Sequence, residues 1–308
     1  MEIALPSTNL TTLKAAKNSL LLKPLDAAVF LAPWGTPVPS SFTDASANLQ
    51  TLPPAFQSVG LIDKKSGVAF ARAVTAAPIE SYGEMQPMRD DITSDITTLE
   101  FEPQQTSALT IALATNVNVQ QLAAQANGEV WFAQPSASQI TYYTAIVIGK
   151  DGTDAAPIYV IKVMPKVAVT KWAGEQWTPT TVLSQKLTLT AFKDDNVGYA
   201  VAHGFGGAGW KQLLSKTGIN YPVTSISVAP TLALTVGQTS APLVVTDQLG
   251  GVLTPPAVTF NSTVPAKATV AANGAVTGVA AGTTSINVTY TPAGGGAALN
   301  TVCNVTVS

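Results

Sequence analysis

The sequence predicts a mainly β protein of two domains. The first, 1–220, is expected to be a β-sandwich or barrel with a flanking helix and a long loop, and the second, 223–308, a smaller β-sandwich. Three observations carry this. Apolar and polar residues alternate over several short stretches of the N-terminal part, the two-residue period of a half-buried strand. Beyond Val223, short apolar runs recur between Gly, Pro and Asn turns, the spacing of a sandwich. Charge also falls away there, since Asp247 and Lys267 are the only charged side chains from 223 to 308.

Composition narrows the classes. Only 11% of the 308 residues are charged, against about a quarter in an ordinary globular protein, which suits subunits packed against neighbours. A net charge of -2 argues against a basic nucleic-acid-binding surface and against attraction to anionic lipid. Cys303 is the only cysteine, so thiolate metal sites and an internal disulfide are excluded, and it reads as a buried small hydrophobe. In 1–23 the lysines follow the apolar residues, unlike a secretory signal, so a cytoplasmic site of synthesis and residence is expected. No apolar run approaches the roughly 20 residues that span a bilayer, so no membrane insertion is expected.

In chain order, 8–23 is expected to form either a short amphipathic helix with Lys14, Lys17 and Lys23 on a basic side, a solvated face or a subunit contact, or equally an arm ordered on assembly. A strand at 29–34 ends in a Pro-rich turn. The unpatterned loop 36–60 is long for a compact domain and is expected to be functional or ordered by a partner; Thr36, Pro37, Pro39, Phe42, Leu52 and Phe56 are its contact candidates. At 66–75, Val68, Phe70, Arg72 and Val74 share one side of a strand, with alanines opposite. Then comes a run in which Glu80, Glu84, Asp90, Asp91, Asp95, Glu100 and Glu102 stand against Arg89 alone. Its end, 99–102, alternates apolar and acidic residues, predicting a strand with one buried and one negative face. After Pro103, the spacing of Ala108, Leu109, Ala112 and Leu113 predicts a helix docked on the sheet.

No element is assigned to 115–128, which closes on an Asn127-Gly128 turn. Strands are expected at 140–148, 159–169 and 183–192, with an Asp151-Gly152 hairpin turn, and a linker at 215–222. Eight short strands follow, at 226–228, 232–236, 243–245, 258–260, 268–270, 275–277, 286–290 and 302–307.

Chemistry-bearing constellations are scarce. The acidic run can be read as a metal or glycosidase carboxylate pair or as a solvated strand face, and its spacing fits no EF-hand loop. His203, among Gly204, Gly206, Gly207 and Gly209, has no thiol or second histidine to work with and reads as a loop or packing residue. That glycine run lacks the Gly-Lys-Ser/Thr ending of a phosphate loop. No catalytic residue, metal or cofactor is therefore expected. Trp34, Trp131, Trp172, Trp177 and Trp210 read as core or interface anchors.

Two resemblances rest on particular residues. Ile226-Ser227-Val228, then 235–239 (TVGQT), and above all 271–288 (AANGAVTGVAAGTTSINV), resemble the bacterial immunoglobulin-like group 2 domain. There Gly274 and Gly282 are expected at turns needing φ > 0, and Val276, Val279, Ile286 and Val288 to point inward. Residues 29–39 (VFLAPWGTPVP), the loop up to Gly60-Leu61-Ile62, Gly67-Val68, and the acidic strand leading into a helix at 95–114 resemble the major tail protein of long-tailed bacteriophages.

The second resemblance implies a virion protein made in the host cytoplasm. It implies homo-hexameric rings stacked into a tail tube, strands joined into one inner β-barrel, other tail proteins at the tube ends, and a bore through which DNA leaves. The immunoglobulin-like domain would decorate the outside and touch the host surface weakly. Such a bore must not bind its cargo, and carboxylates keep phosphates mobile where lysines would hold them. Some of the seven acidic residues, Glu80, Glu84, Asp90, Asp91, Asp95, Glu100 and Glu102, are therefore expected to face the bore. The competing reading is a bacterial cell-surface or adhesive protein that binds through the immunoglobulin-like module.

Overall fold

The computed structural model describes residues 8–137, 139–293 and 295–308; part of the segment read as lacking a secretory signal, 1–7, lies outside them. The protein is mainly β, 39% strand and 10% helix, and among the described residues no barrel is closed. Contacts divide the described residues into two compact units, 22–210 and 211–308 with 8–21.

The larger unit is built on one eight-stranded antiparallel sheet. Its strands are β1 (Asp26–Pro33), β2 (Gln57–Ser58), β3 (Ala69–Ile79), β4 (Arg89–Phe101), β5 (Tyr142–Gly152), β6 (Pro157–Trp172), β7 (Leu187–Phe192) and β8 (Ala202–Gly206). The order is β2-β1-β5-β6-β7-β4-β3, with β8 also on β6. β6 is long enough to change partner: 159–163 pair with β8, while 166–172 pair with β7 through a bulge at Val169/Lys171. Each face of the sheet carries a core. Leu31, Leu99, Phe101, Met164, Leu187 and Leu189 lie in one, and Ile146, Ile148, Ile161 and Val163 in the other.

The predicted helix is α2, Ala108–Thr115; α1, Leu10–Lys14, is a single short turn at the N-terminus. Ser107 and Thr110 cap α2 reciprocally, and Asn116 ends it in the left-handed region (φ 56°). Leu109 and Leu113 seat it on the first core, and the Trp172 indole donates to its Leu113 carbonyl at 2.8 Å.

The glycine run after residue 200 is a strand and a helix, not a loop. His203 lies exposed on β8, opposite Lys162. Phe205 stacks on Trp210 at the start of α3 (Ala208–Thr217), with ring centroids 4.6 Å apart. A Cβ at Gly209 would lie 2.4 Å from the Ala156 carbonyl oxygen, so this contact admits only glycine. α3 also occupies the first residues of the expected linker.

The second unit contains an immunoglobulin-like sandwich. Its strands are β9 (Ile226–Ser227), β10 (Thr231–Leu234), β11 (Val245–Asp247), β12 (Val252–Leu253), β13 (Val258–Ser262), β14 (Ala268–Val270), β15 (Val276–Gly278), β16 (Gly282–Tyr290) and β17 (Leu299–Val307). One sheet runs β10-β17-β16-β13, with β10 parallel to β17; β12-β11-β9 and β14-β15 form the others. Val276, Ile286, Val288 and Cys303 are fully buried, Val305 and Val307 nearly so. Val279, expected inside, is 45% exposed, because it follows the end of β15 and precedes the turn into β16. Gly274 and Gly282 have the expected positive φ, 88° and 139°.

The outward face of the larger sheet is uncharged and mostly hydroxyl and amide. Thr259, Asn261, Thr283, Asn287, Asn304 and Thr306 are exposed on it. Ser285 donates to Asn304 and Thr289 to Asn300 across the strands. The unit's buried carboxylate, Asp247, accepts hydrogen bonds from the Leu249 and Gly251 amides and the Tyr221 hydroxyl. Desolvation, with that hydrogen bond to Asp247, pushes the Tyr221 phenol up to about 12.

Candidate assembly surface

β3 and β4 pair from Ala69↔Glu100 to Ile79↔Arg89, but β7 borders β4 only at 98–101. From 97 to the tip the two strands form an arm with no strand on either edge among the described residues. Local sequence explains why it can stand out. Alanines alternate with Phe70, Arg72 and Val74 on β3, and the β-branched residues of β4 favour extended backbone. A register shift at Thr75/Ala76 adds local twist. The root is anchored: Phe70 packs on the first core, and Lys162 Nζ lies 4.0 Å above its ring. Burial there pushes the Lys162 ammonium down from its usual range.

Further out, none of the described residues of the unit covers the arm. Val74, Ile79, Ile92 and Ile96 are 44–66% exposed, while Tyr82 and Met85 at the tip are fully exposed. Unpaired strand edges bearing apolar side chains are a template for another chain.

The seven carboxylates all lie on or beside this arm, yet they do not share a face. Asp95 stands opposite Val74, on the side of Phe70 and Arg72, whereas Glu100 stands opposite Ala69. Three are neutralised in place: Asp91 by Arg89 (2.7 Å), Asp95 by Arg72 (2.6 Å) and Glu100 by Lys186 (2.6 Å). Hydrogen bonds from those partners hold the Asp95 and Glu100 carboxyls below their usual range. Glu102 accepts from the Ser184 hydroxyl. Glu80, Glu84 and Asp90 have no ion-pair partner among the described residues, and all three are exposed at the tip end.

At the root, 61–63 continue the pairing with 102–104 (Asp63 N to Glu102 O, 2.9 Å). The chain then leaves the edge in a tight turn, in which the Asp63 carboxylate accepts from Ser66 N and the Asp63 carbonyl from Gly67 N. Lys64 and Lys65 stand exposed on this turn beside Leu61, which is 65% exposed.

The contact candidates of the long loop divide differently. Phe56 is buried, and Phe42 and Leu52 pack with it over the second core. Thr36 is tied to the Pro33 carbonyl, Pro39 is half-buried and Pro37 is exposed. The loop's length therefore has a reason inside the subunit: it lids a sheet face that would otherwise be wet.

One cluster had no signal in the sequence. Lys166 Nζ sits 4.4 Å from the Trp34 ring and 4.5 Å from Tyr142, and the Trp34 indole donates to Asp194 at 2.6 Å. Spacing cannot reveal it, because its members come from the turn after β1, from β5 and β6, and from the turn after β7.

Among the described residues no group of three or more His, Cys, Asp or Glu is placed to hold a metal ion, and no helix is long and apolar enough to cross a membrane.

Residues 222–302 match the bacterial Ig-like domain (group 2) family. No curated protein matches the chain. Among solved structures, a chain from the cryo-EM structure of the anti-feeding prophage baseplate, 6-fold symmetrised, is similar at 10% identity with a TM-score of 0.31, over 59% of this chain and 93% of that one. A superposition that loose does not establish a shared fold.

Proposed function

We propose that this chain is a structural, non-enzymatic virion protein that assembles with copies of itself into six-fold rings stacked as a phage tail tube. The observation that carries the reading is the arm of β3 and β4, with two unpaired edges and an apolar tip left bare by its own subunit. Strands of a neighbouring copy satisfy such edges, and a ring of copies removes them altogether. The resemblance of 29–39 and 95–114 to major tail proteins supports the same conclusion. The immunoglobulin-like module decorates the outside, and carboxylates of the arm face a bore that conducts DNA without binding it. No cofactor takes part.

Negative-stain microscopy and sedimentation of the purified chain test this. Rings or tubes of uniform diameter are expected. A species that stays monomeric at high concentration and binds glycan or cells would favour an adhesin instead. For the bore, replacing Asp90, Asp91 and Asp95 together with Asn is expected to leave tubes intact and slow DNA ejection from virions; unchanged ejection kinetics would remove these residues from the bore.

A further inference from the structure

We infer that the tip of the arm docks on the root of the arm in a second copy of this chain, making the axial contact between stacked copies. This rests on the assembly reading above and names its contact. The two ends of the arm are complementary. The tip presents Glu80 and Glu84 without ion-pair partners among the described residues, around the exposed Tyr82 and Met85. The root presents Lys64 and Lys65, also outside every ion pair among the described residues, beside the exposed Leu61.

A single copy cannot close this contact on itself, because the paired strands hold the ends apart. The eleven residues of β3 span about 37 Å at about 3.4 Å per residue. A contact between unlike surfaces of identical chains is head-to-tail and closes a ring or extends a stack according to the rotation it carries; with the bare edges of the arm taken by ring neighbours in the assembly reading, its two ends are left to extend the stack. The apolar pair excludes water at the centre, and the charges set polarity and register: tip on tip or root on root opposes like charges. This assignment takes Glu80 and Glu84 away from the bore. It leaves Asp90, Asp91, Asp95, Glu100 and Glu102 as the candidates there.

The test compares the full-length chain with E80K/E84K, K64E/K65E and the four-fold charge swap that combines them. Circular dichroism and thermal melts check that each folds; all four substituted positions are exposed. Wild type is expected to form tubes. Each double variant should need at least about tenfold more protein to polymerise, and the swap should recover most of that loss. The axial repeat of wild-type tubes should not exceed about 40 Å, the reach of the extended arm.

Wild-type tubes with double variants that polymerise equally well, a swap no better than either double, or a longer repeat would overturn the contact and leave the assembly reading standing. A wild-type chain that never assembles would remove both.

Discussion

Single residues show where burial and charge pull against each other. Tyr221 is the clearest case. Its folded pKa lies above the unfolded value of about 10, so its contribution is complete below pH 10 and is lost as pH rises through about 12. Tyr221→Phe is expected to cost about 1 kcal/mol at neutral pH. It should also flatten the alkaline loss of stability between pH 10 and 12, read by chemical denaturation of the C-terminal unit. Gly209→Ala sets a Cβ against the Ala156 carbonyl oxygen and is expected to destabilise the larger unit by about 1–3 kcal/mol, seen as a lower denaturation midpoint. Neither role was legible beforehand. The glycines at 204–209 read as a loop because a close approach between distant elements leaves no local period. Cys303 and Val276 were legible, because strand alternation alone decides which face they take.

Elements were legible where one face is buried and obscure where none is. β1, β6, β7 and most strands of the sandwich follow the apolar periodicity, and Pro103 with the spacing after it marks α2. The outer half of β4 did not announce itself, because a strand wet on both faces has no reason to alternate. The long loop misled for the opposite reason: its apolar residues are scattered, yet Phe42, Leu52 and Phe56 converge on one core. Phe56→Ala is accordingly expected to cost about 3–5 kcal/mol of folding stability by urea denaturation, a loss that a residue serving only contacts between subunits would not produce in a monomer. Replacing 72–97 with a short turn is expected to leave the melting temperature of the larger unit within a few degrees of wild type, since the removed residues add little to its core. The same change should abolish rings and tubes by microscopy.

At the scale of the whole molecule, charge divides the two units. The carboxylates held below their usual range, Asp44, Asp63, Asp95, Glu100, Asp154 and Asp194, all lie in 22–210. Hydrogen bonds from backbone amides, lysine, arginine or the Trp34 indole do the holding. Their folded pKa values are depressed, so the stability they confer is present above the unfolded values near 4 and is lost as pH falls through the lower folded ones. Acid is therefore expected to unfold the larger unit first, giving two steps in a calorimetric series from pH 5 to pH 2. A chain shortened to 22–210 should keep the first step and lack the second. The composition shift at Val223 marks where the immunoglobulin-like strands begin, while the contacts divide the chain at 210/211 and join 8–21 to the C-terminal unit, which no local pattern encodes. The uncharged outer face of the sandwich has a consequence of its own. Its hydroxyls and amides partly satisfy one another across the strands, so it behaves as a self-passivated coating. Copies brought side by side would meet there without electrostatic repulsion, so any contact between these faces is expected to be insensitive to added salt.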